Sequence, residues 1–592
     1  MLATSFVDAV SSRNLTSGTR SARLFSNPDW LKLDIGPDYR SRLPVSAPID
    51  FQFMTQIDSL IDDFLKETFD ENPVAATSLG VDGYDHLLGD YSVEGIARNE
   101  AQVDTWLTTF ESIGDEGLTL DQQVDRDLAL SSLRGSKIMR DWTSYKRDPG
   151  TYLGPGTSGV FALFQHRLHP DNELAAAAAS RMQSIPRVLA EGKRNLDASL
   201  ASPLVAGRAL GQCNASIHYF RKMVPTEVPE GKDRDLLVDA GEIAAAAHED
   251  FAEFLGKFVS GAGGTWAIGQ ERYSALLEEK EKLGYGVDEM LERGKTAYDD
   301  LDKEMSAFTQ QWKGTSDWLE VVEELNDDHP TTQEEMRKEY EDWTERARQF
   351  LKDKDLVTFP EGEECRVVPS PHFQRPILAV ASYSSPPPFK SGRIGHFYVP
   401  FAPEGTSPEE IQKRLASNNR IAIPTTSVHE AYPGHHWHLV KMQDNPRKLR
   451  KVLRTSYFTE GWALYTERMM REEGFYDDPA HELGYMVARI FRAARIVVDT
   501  SLHAGKMTFD EALTFMMERT GMGEPTSRAE VGRYCSWPTQ APSYLTGSLE
   551  IERMRRSYLD ARKGTLKQFH DSIATSGGLP IGLAEKALMQ SS

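Results

Sequence analysis

The chain has 592 residues, of which 40% are hydrophobic and 26% charged, so it can bury a large core without disulfide cross-links. Its formal charge of -22 disfavours nucleic acid and anionic membranes as partners, because like charges repel. The three cysteines have no paired spacing, and no apolar run is long enough to span a bilayer. We therefore expect a cytoplasmic protein whose oligomeric state stays open.

The N-terminal segment is rich in serine, threonine and arginine. Within residues 1–27 the only acid is Asp8, a composition that resembles a mitochondrial transit peptide. The segment shows no apolar helical face, which favours a disordered tail over residues 1–45. Mitochondrial targeting stays the alternative to a cytoplasmic location.

Helical patterns dominate residues 46–355. Residues 51–70 place apolar side chains four positions apart, at Phe53, Ile57, Ile61 and Leu65. Three further stretches have helical patterns: residues 174–201, with a break near Pro186, 287–312 and 331–352. We predict a helical region over residues 46–355 that walls a cleft.

The pattern changes after residue 355. Three short β-rich segments are separated by prolines, at residues 366–369, 377–383 and 394–399. Helices return at Ser407-Pro408, which is a typical helix start. We predict a mainly α fold in which a small β-sheet precedes the helix of the active site, and we expect residues 356–592 to carry the chemistry.

The informative motif begins at His429-Glu430 and returns to histidine at His435. In the zinc-hydrolase motif HExxH, two histidines one helical turn apart bind the metal and the glutamate acts as general base. Here the second histidine comes two residues late. Pro433 and Gly434 disfavour a straight helix, and a bulge that absorbs two residues would bring the histidines together.

Other histidine pairs fit the metal less well. His436 shares a helical face with His429 but lies about 10 Å further along an unbroken helix. His435 and His438 are three residues apart and could bind together, but that pairing leaves His429-Glu430 without a role. We expect His436 and His438 to support the site or line the cleft. The choice between His435 and His436 as second ligand stays open.

A third ligand is expected from the segment that begins at Glu460, predicted to lie in the first turn of a helix. Two histidines and a glutamate are one standard set for catalytic zinc. Glu467 lies seven residues on and could orient a ligand histidine. An acid in the first turn of a helix also stabilises the helix dipole, which is the alternative role of Glu460.

Residues downstream could bind the substrate or stabilise charge. Asp499 and His503 lie one helical turn apart, and the pair could orient an imidazole that stabilises an oxyanion. Tyr544 could donate to the same oxyanion. Arg492 and Arg495 belong to an arginine stripe that could bind a substrate carboxylate. Structural alternatives are salt bridges for the arginines, a helix C-terminal cation for His503 and a core position for Tyr544.

Five motifs of this chain together resemble domain of unknown function 885. In chain order they are SYSSPPPFKSGRIGHFYV, HEAYPGHH, EGWALYTE, RAARIVVDTSLH and WPTQAPSY. The resemblance extends from about residue 50 and is strongest over residues 380–556. It implies a helical, zincin-like body of the gluzincin-like metallopeptidases, whose HExxH-type motif carries a Pro-Gly insertion. It implies no substrate. This chain has His436-Trp437-His438 where the family usually continues with His-Leu-Gln.

Together these residues predict a Zn²⁺-dependent hydrolase that cleaves amide bonds in peptides or peptide-like small molecules. His429, His435 and Glu460 would bind the metal, and Glu430 would act as general base. The same ligands also suit Fe²⁺, so a non-hydrolytic enzyme of small-molecule metabolism is one alternative. A non-catalytic helical binding protein is the other.

Overall fold

Helices dominate the computed structural model, which describes residues 51–371, 375 and 380–590. They account for 69% of the structure, and a single three-stranded sheet accompanies them in the described residues, which confirms the mainly α fold class. The predicted tail at residues 1–45, including the transit-like residues 1–27, lies outside the described residues.

Thirteen α-helices precede the sheet in the part of the chain that the structure describes. Their bounds are α1 Phe51–Glu71, α2 Pro73–Leu79, α3 Val93–Glu111, α4 Leu120–Arg140, α5 Ser144–Arg147, α6 Gly150–His166, α7 Asp171–Asn195, α8 Pro203–His218, α9 Lys232–Gly261, α10 Gln270–Ala275, α11 Val287–Lys313, α12 Trp318–Leu325 and α13 Gln333–Asp353. Short π-helical segments, Tyr219–Met223 and Leu276–Lys280, and a 3-10 turn, Val224–Glu227, extend α8 and α10. The helices predicted from residues 51–70, 287–312 and 331–352 are α1, α11 and α13.

Helix α7 differs from its prediction in two respects. It ends at Asn195, before the predicted end at residue 201. It continues through Pro186, where the sequence predicts a break. Proline removes one backbone hydrogen bond, but its neighbours Ile185 and Val188 are fully buried. We attribute the continuity of α7 to this packing.

The sheet consists of β1 Glu364–Pro369, β2 Ser382–Ser384 and β3 Ile394–Val399, in the order β1-β3-β2. Strand β3 is central: it pairs in parallel with β1, placing Val367 beside Phe397, and antiparallel with β2, placing Tyr383 beside Phe397. The small sheet therefore lies where the sequence predicts it, directly before the helices of the candidate site.

Eleven helices follow the sheet among the described residues. They are α14 Pro408–Ala416, α15 Ile423–Glu430, α16 His435–Met442, α17 Lys448–Val452, α18 Ser456–Glu472, α19 Pro479–His503, α20 Phe509–Thr520, α21 Glu524–Ser536, α22 Ser543–Asp560, α23 Leu566–Thr575 and α24 Ile581–Gln590. As predicted, Ser407 caps α14, since its hydroxyl accepts a hydrogen bond from the Glu410 amide.

Three hydrophobic clusters occur in the described residues, and two of them are large. The larger includes side chains from both sides of residue 355, among them Leu351 of α13 and Val367 of β1. The second lies mainly between α6, α7, α8 and α9. The predicted boundary between residues 46–355 and 356–592 falls between α13 and β1. The division of the chain into these two regions stays a prediction.

The cysteines and the apolar content of the helices agree with what the composition indicates. Cys213, Cys365 and Cys535 all have free thiols. Among the helices described, none is both long enough and apolar enough to cross a membrane.

Candidate metal centre

The candidate centre is built around a break between two short helices. Helix α15 ends at Glu430, and α16 begins at His435. Between them the chain folds back, so that the Gly434 amide donates to the Val428 carbonyl at 3.1 Å. The sequence predicts a bulge within one helix, whereas the structure has two helices joined by a tight connection.

Glycine is required at position 434 because the connection passes very close to α15. A β-carbon on Gly434 would lie 2.0 Å from the carbonyl oxygen of His429 and 2.3 Å from that of Val428. The indole of Trp462 donates to the Pro433 carbonyl at 2.8 Å and so ties the connection to α18. These contacts explain how the two residues inserted before the second histidine are accommodated.

The break brings His429 and His435 together. Their ring centroids lie 4.8 Å apart, and the ring planes are perpendicular. Glu460 lies between them, with Oε2 3.5 Å from His429 Nε2 and 3.3 Å from His435 Nε2. Glu460 lies in the second turn of α18, not the first as predicted, because the helix begins at Ser456. A role in stabilising the dipole of this helix is therefore disfavoured.

These distances suit a metal ion. Zinc bound at about 2.0–2.1 Å to each ligand in a tetrahedron separates the ligand atoms by about 3.3 Å. The two N···O distances match that spacing, and all three ligand atoms lie within 4.8 Å of one another. No other group of three or more possible ligands of this kind occurs in the described part of the chain. His429, His435 and Glu460 thus fit a metal by both chemistry and spacing.

Glu467 fixes the orientation of His429. Its Oε1 lies 2.7 Å from His429 Nδ1. The Glu467 carboxylate is fully buried and lies about two helical turns along α18 from Glu460. A carboxylate only accepts hydrogen bonds, so Nδ1 must donate. Nε2 therefore faces Glu460 and His435, and loss of its proton would leave the lone pair that a metal ligand requires.

The electrostatics of the three groups are strongly coupled. Burial disfavours the charged form of Glu460, but the neighbouring His435 and His429 outweigh burial and hold its pKa well below the usual range. Burial lowers the pKa of His429, whereas hydrogen bonds with Glu460 and Glu467 raise it to about 9. A buried carboxylate that stays ionised beside two imidazoles is a suitable site for a cation.

Glu430 is adjacent to the candidate ligand His429 and is half-buried at the end of α15. Among the described residues its carboxylate has no hydrogen-bond or ion-pair partner. Its oxygens are therefore not engaged by any described side chain or backbone group.

Tyr544, in the first turn of α22, connects the centre to α19. Its ring stacks on His429 with a centroid distance of 6.3 Å. Gln540 donates to its hydroxyl at 3.4 Å, and burial raises the pKa of that hydroxyl. The hydroxyl stays protonated near neutral pH and can donate a hydrogen bond.

The two predicted substrate arginines differ in their surroundings. Arg495 is buried, and its guanidinium pairs with Glu530 at 2.9 Å. Arg492 is half-buried and donates to the Ala488 carbonyl at 3.0 Å, and it has no ion pair with any described residue. Of these two arginines, Arg492 is therefore the one whose guanidinium is available to a ligand.

His503 and Asp499 are buried on α19 but have no described contact with the three candidate ligands. His503 Nε2 donates to the Tyr534 carbonyl at 3.0 Å, and Nδ1 is buried without a partner. Asp499 accepts from the Tyr273 hydroxyl at 2.6 Å and from the Thr539 amide at 3.2 Å. These contacts tie α19 to its neighbours.

His436 lies beside His435 but faces the sheet. Its Nε2 lies 2.9 Å from Glu363, directly before β1, and its Nδ1 lies 2.9 Å from the Tyr383 hydroxyl on β2. The Tyr432 hydroxyl donates to the same Glu363 oxygen at 2.6 Å. Both ring nitrogens of His436 are therefore occupied, which favours His435 over His436 as the second ligand.

Comparison with known proteins places the chain in a family. The profile described as "Bacterial protein of unknown function (DUF885)" matches residues 73–588. The chain belongs to the DUF885 family. A search of curated proteins finds no match.

Two solved structures are similar to this DUF885 chain. One is a "putative lipoprotein of unknown function" from Shewanella oneidensis, with a TM-score of 0.74 and 22% identity, covering 92% of this chain and all of that one. The other is the "putative lipoprotein" from Colwellia psychrerythraea, with a TM-score of 0.68 and 20% identity, covering 90% of this chain and 98% of that one. At these identities the likeness shows a shared fold.

The motifs of this DUF885 chain do not reveal two acids that surround the site. Glu363 precedes the β-rich segment, and its link to Tyr432 and His436 depends on long-range contacts. Glu530, on α21, pairs with Arg495, on α19. In the sequence, only the position of Glu530 shortly before the WPTQAPSY motif indicates that it could lie near the site.

Proposed function

We propose that this chain is a zinc-dependent hydrolase, with a zincin-like core of the gluzincin-like type, that cleaves amide bonds in peptides or peptide-like small molecules. The observation that supports it most is the spacing of His429, His435 and Glu460, with N···O distances of 3.3 and 3.5 Å. Glu467 adds support because it fixes the tautomer that a zinc ligand needs.

Each nearby residue has a role in this proposal. His429, His435 and Glu460 would hold the metal, which when bound supplies a Lewis acid and lowers the pKa of water. Glu430 accepts a proton from the attacking water and returns it to the leaving amine. Its half-buried carboxylate, without a partner among the described residues, suits that task.

Tyr544 is the better of the two predicted oxyanion donors. Its ring stacks on His429, so its hydroxyl belongs to the same site. The Nε2 of His503 already donates to the Tyr534 carbonyl. We therefore assign the hydrogen bond to the developing oxyanion to Tyr544.

The test combines metal content with turnover. We expect near-stoichiometric zinc in protein purified without chelators, measured by mass spectrometry, and loss of that zinc in His429→Ala. Glu430→Gln should retain zinc and lose hydrolysis of a peptide library by at least about a hundredfold, since general-base catalysis contributes about 10²–10⁴. Glu361→Gln makes the same change at an exposed position, and this control should keep both the zinc content and the hydrolytic activity.

Other outcomes would redirect the assignment. Stoichiometric iron would keep the ligands and favour non-hydrolytic chemistry. Protein without metal would favour a binding protein. Full activity in Glu430→Gln would remove that residue from the mechanism. The amide-containing substrate, the lack of nucleic-acid or membrane partners and the cytoplasmic location stay predictions.

A further inference from the structure

Three arginines lie near Tyr544: Arg492 and Arg495 over its ring, and Arg533 through Gln540. The guanidinium carbons of Arg495 and Arg492 lie 4.8 and 5.9 Å from the ring centroid. Arg533 donates to Gln540 at 2.5 Å, and Gln540 donates to the Tyr544 hydroxyl. Two cations thus lie over the ring that also stacks on His429, and a third, Arg533, is linked to its hydroxyl through Gln540.

The acids in contact with these arginines do not balance them. Glu530 is their one ion-pair partner in the described part of the chain, bound to Arg495 at 2.9 Å and to Arg533 at 3.0 Å. The Tyr534 hydroxyl also donates to Glu530 at 2.7 Å. One carboxylate therefore pairs with two of the three guanidinium groups and leaves Arg492 without an ion pair among the described residues, in a protein whose formal charge is -22.

Arg492 is the member of the cluster that remains unpaired. One of its terminal nitrogens, Nη1, donates to Ala488, while Nε is buried and has no partner. Three residues earlier on α19, Arg489 is paired with Glu552 at 2.7 Å. A buried donor without a partner is unfavourable, and the Arg492 guanidinium, which has no ion pair among the described residues, retains donors for an anionic ligand.

We propose that Arg492, supported by the Tyr544 ring and the charges of Arg495 and Arg533, binds a carboxylate of the substrate close to the bond that is cleaved. The site would then take anionic peptides or peptide-like acids. This inference rests on the proposed function, because it assigns the substrate class of the same centre. Arginine suits the task since its planar donors match the two oxygens of a carboxylate.

The carboxylate could come from two sources, a C-terminal α-carboxylate or an acidic side chain. Three probes separate them: N-acetyl-phenylalanine, N-acetyl-phenylalanine amide, and N-acetyl-glutamate α-amide. Binding of each is measured by isothermal titration calorimetry on the full chain carrying Glu430→Gln. Turnover is not needed, so the outcome is independent of whether the protein hydrolyses amides.

We expect at least one acidic probe to bind about 10- to 100-fold more tightly than the neutral amide, as hydrogen bonds to charged groups commonly contribute this much. Arg492→Gln should abolish the preference. Arg528→Gln should keep it, because Arg528 is an exposed residue of α21 paired with Glu524. Preference for N-acetyl-phenylalanine would identify the α-carboxylate, and preference for the glutamate derivative the side chain.

Three results would overturn the proposal. The first is equal binding of acidic and neutral probes to the parent protein. The second is an unchanged preference in Arg492→Gln with an unchanged melting temperature. The third is loss of the preference in Arg454→Gln but not in Arg492→Gln. Arg454 is the relevant comparison because it too has no ion pair with a described residue and lies near His438.

Discussion

At the scale of single residues, the orientation of His429 depends on one buried carboxylate. Glu467 accepts from His429 Nδ1 at 2.7 Å, and its other oxygen is buried without a partner. Glu467→Gln keeps an acceptor but removes the charge, whereas Glu467→Leu removes both. We expect zinc affinity to fall about 10- to 100-fold, and more for leucine than for glutamine. Competition with a chelating dye measures the change.

A variant on the same helix provides the control. Glu472 lies five residues further along α18 and pairs with Arg468 and Arg555 on the surface of the helix. Glu472→Gln should leave zinc affinity unchanged. Equal affinity in Glu467→Leu and the parent protein would show that the packing of α15 alone orients His429.

At the scale of elements, the connection between α15 and α16 determines whether the two histidines meet. Gly434→Ala would place a β-carbon 2.0 Å from the His429 carbonyl oxygen, so the backbone must shift. We expect a loss of about 1–3 kcal/mol in the free energy of unfolding, and weaker zinc binding. Chemical denaturation and dye competition measure the two effects.

The matched control is Gly256→Ala on α9, where a β-carbon meets no atom within 4 Å. It should stabilise the protein slightly, because alanine favours a helix more than glycine does. If Gly434→Ala behaved like Gly256→Ala, the close approach of the connection to α15 would be unimportant to the site.

The sequence predicts some elements well and others poorly, for physical reasons. The helices α1, α11 and α13 follow from the periodicity of apolar residues, which is a local property. The candidate ligands His429, His435 and Glu460 lie in short motifs of recognisable chemistry. The break at Gly434 depends on backbone contacts between two helices, and the role of Glu363 depends on an approach of the sheet to α16. Neither contact leaves a periodic pattern.

At the scale of the whole molecule, buried charges join the N-terminal helices to the region of the candidate site. Asp125 on α4 is almost fully buried and accepts from Arg447 at 2.5 Å and from Arg450 of α17 at 2.7 Å. The larger hydrophobic core also crosses residue 355. Both observations favour cooperative unfolding of the two regions.

Asp125→Asn tests this coupling. Removing one partner from a buried ion pair leaves an uncompensated charge, so we expect a loss of about 3–5 kcal/mol in the free energy of unfolding. Asp62→Asn is the control, because Asp62 and Lys448 form an exposed pair between the same two regions that should contribute less than about 1 kcal/mol. Differential scanning calorimetry follows the larger core as a whole. In Asp125→Asn its transition should move to lower temperature as one unit. A second transition left at the parent temperature would instead mean that the N-terminal helices and the candidate centre unfold independently.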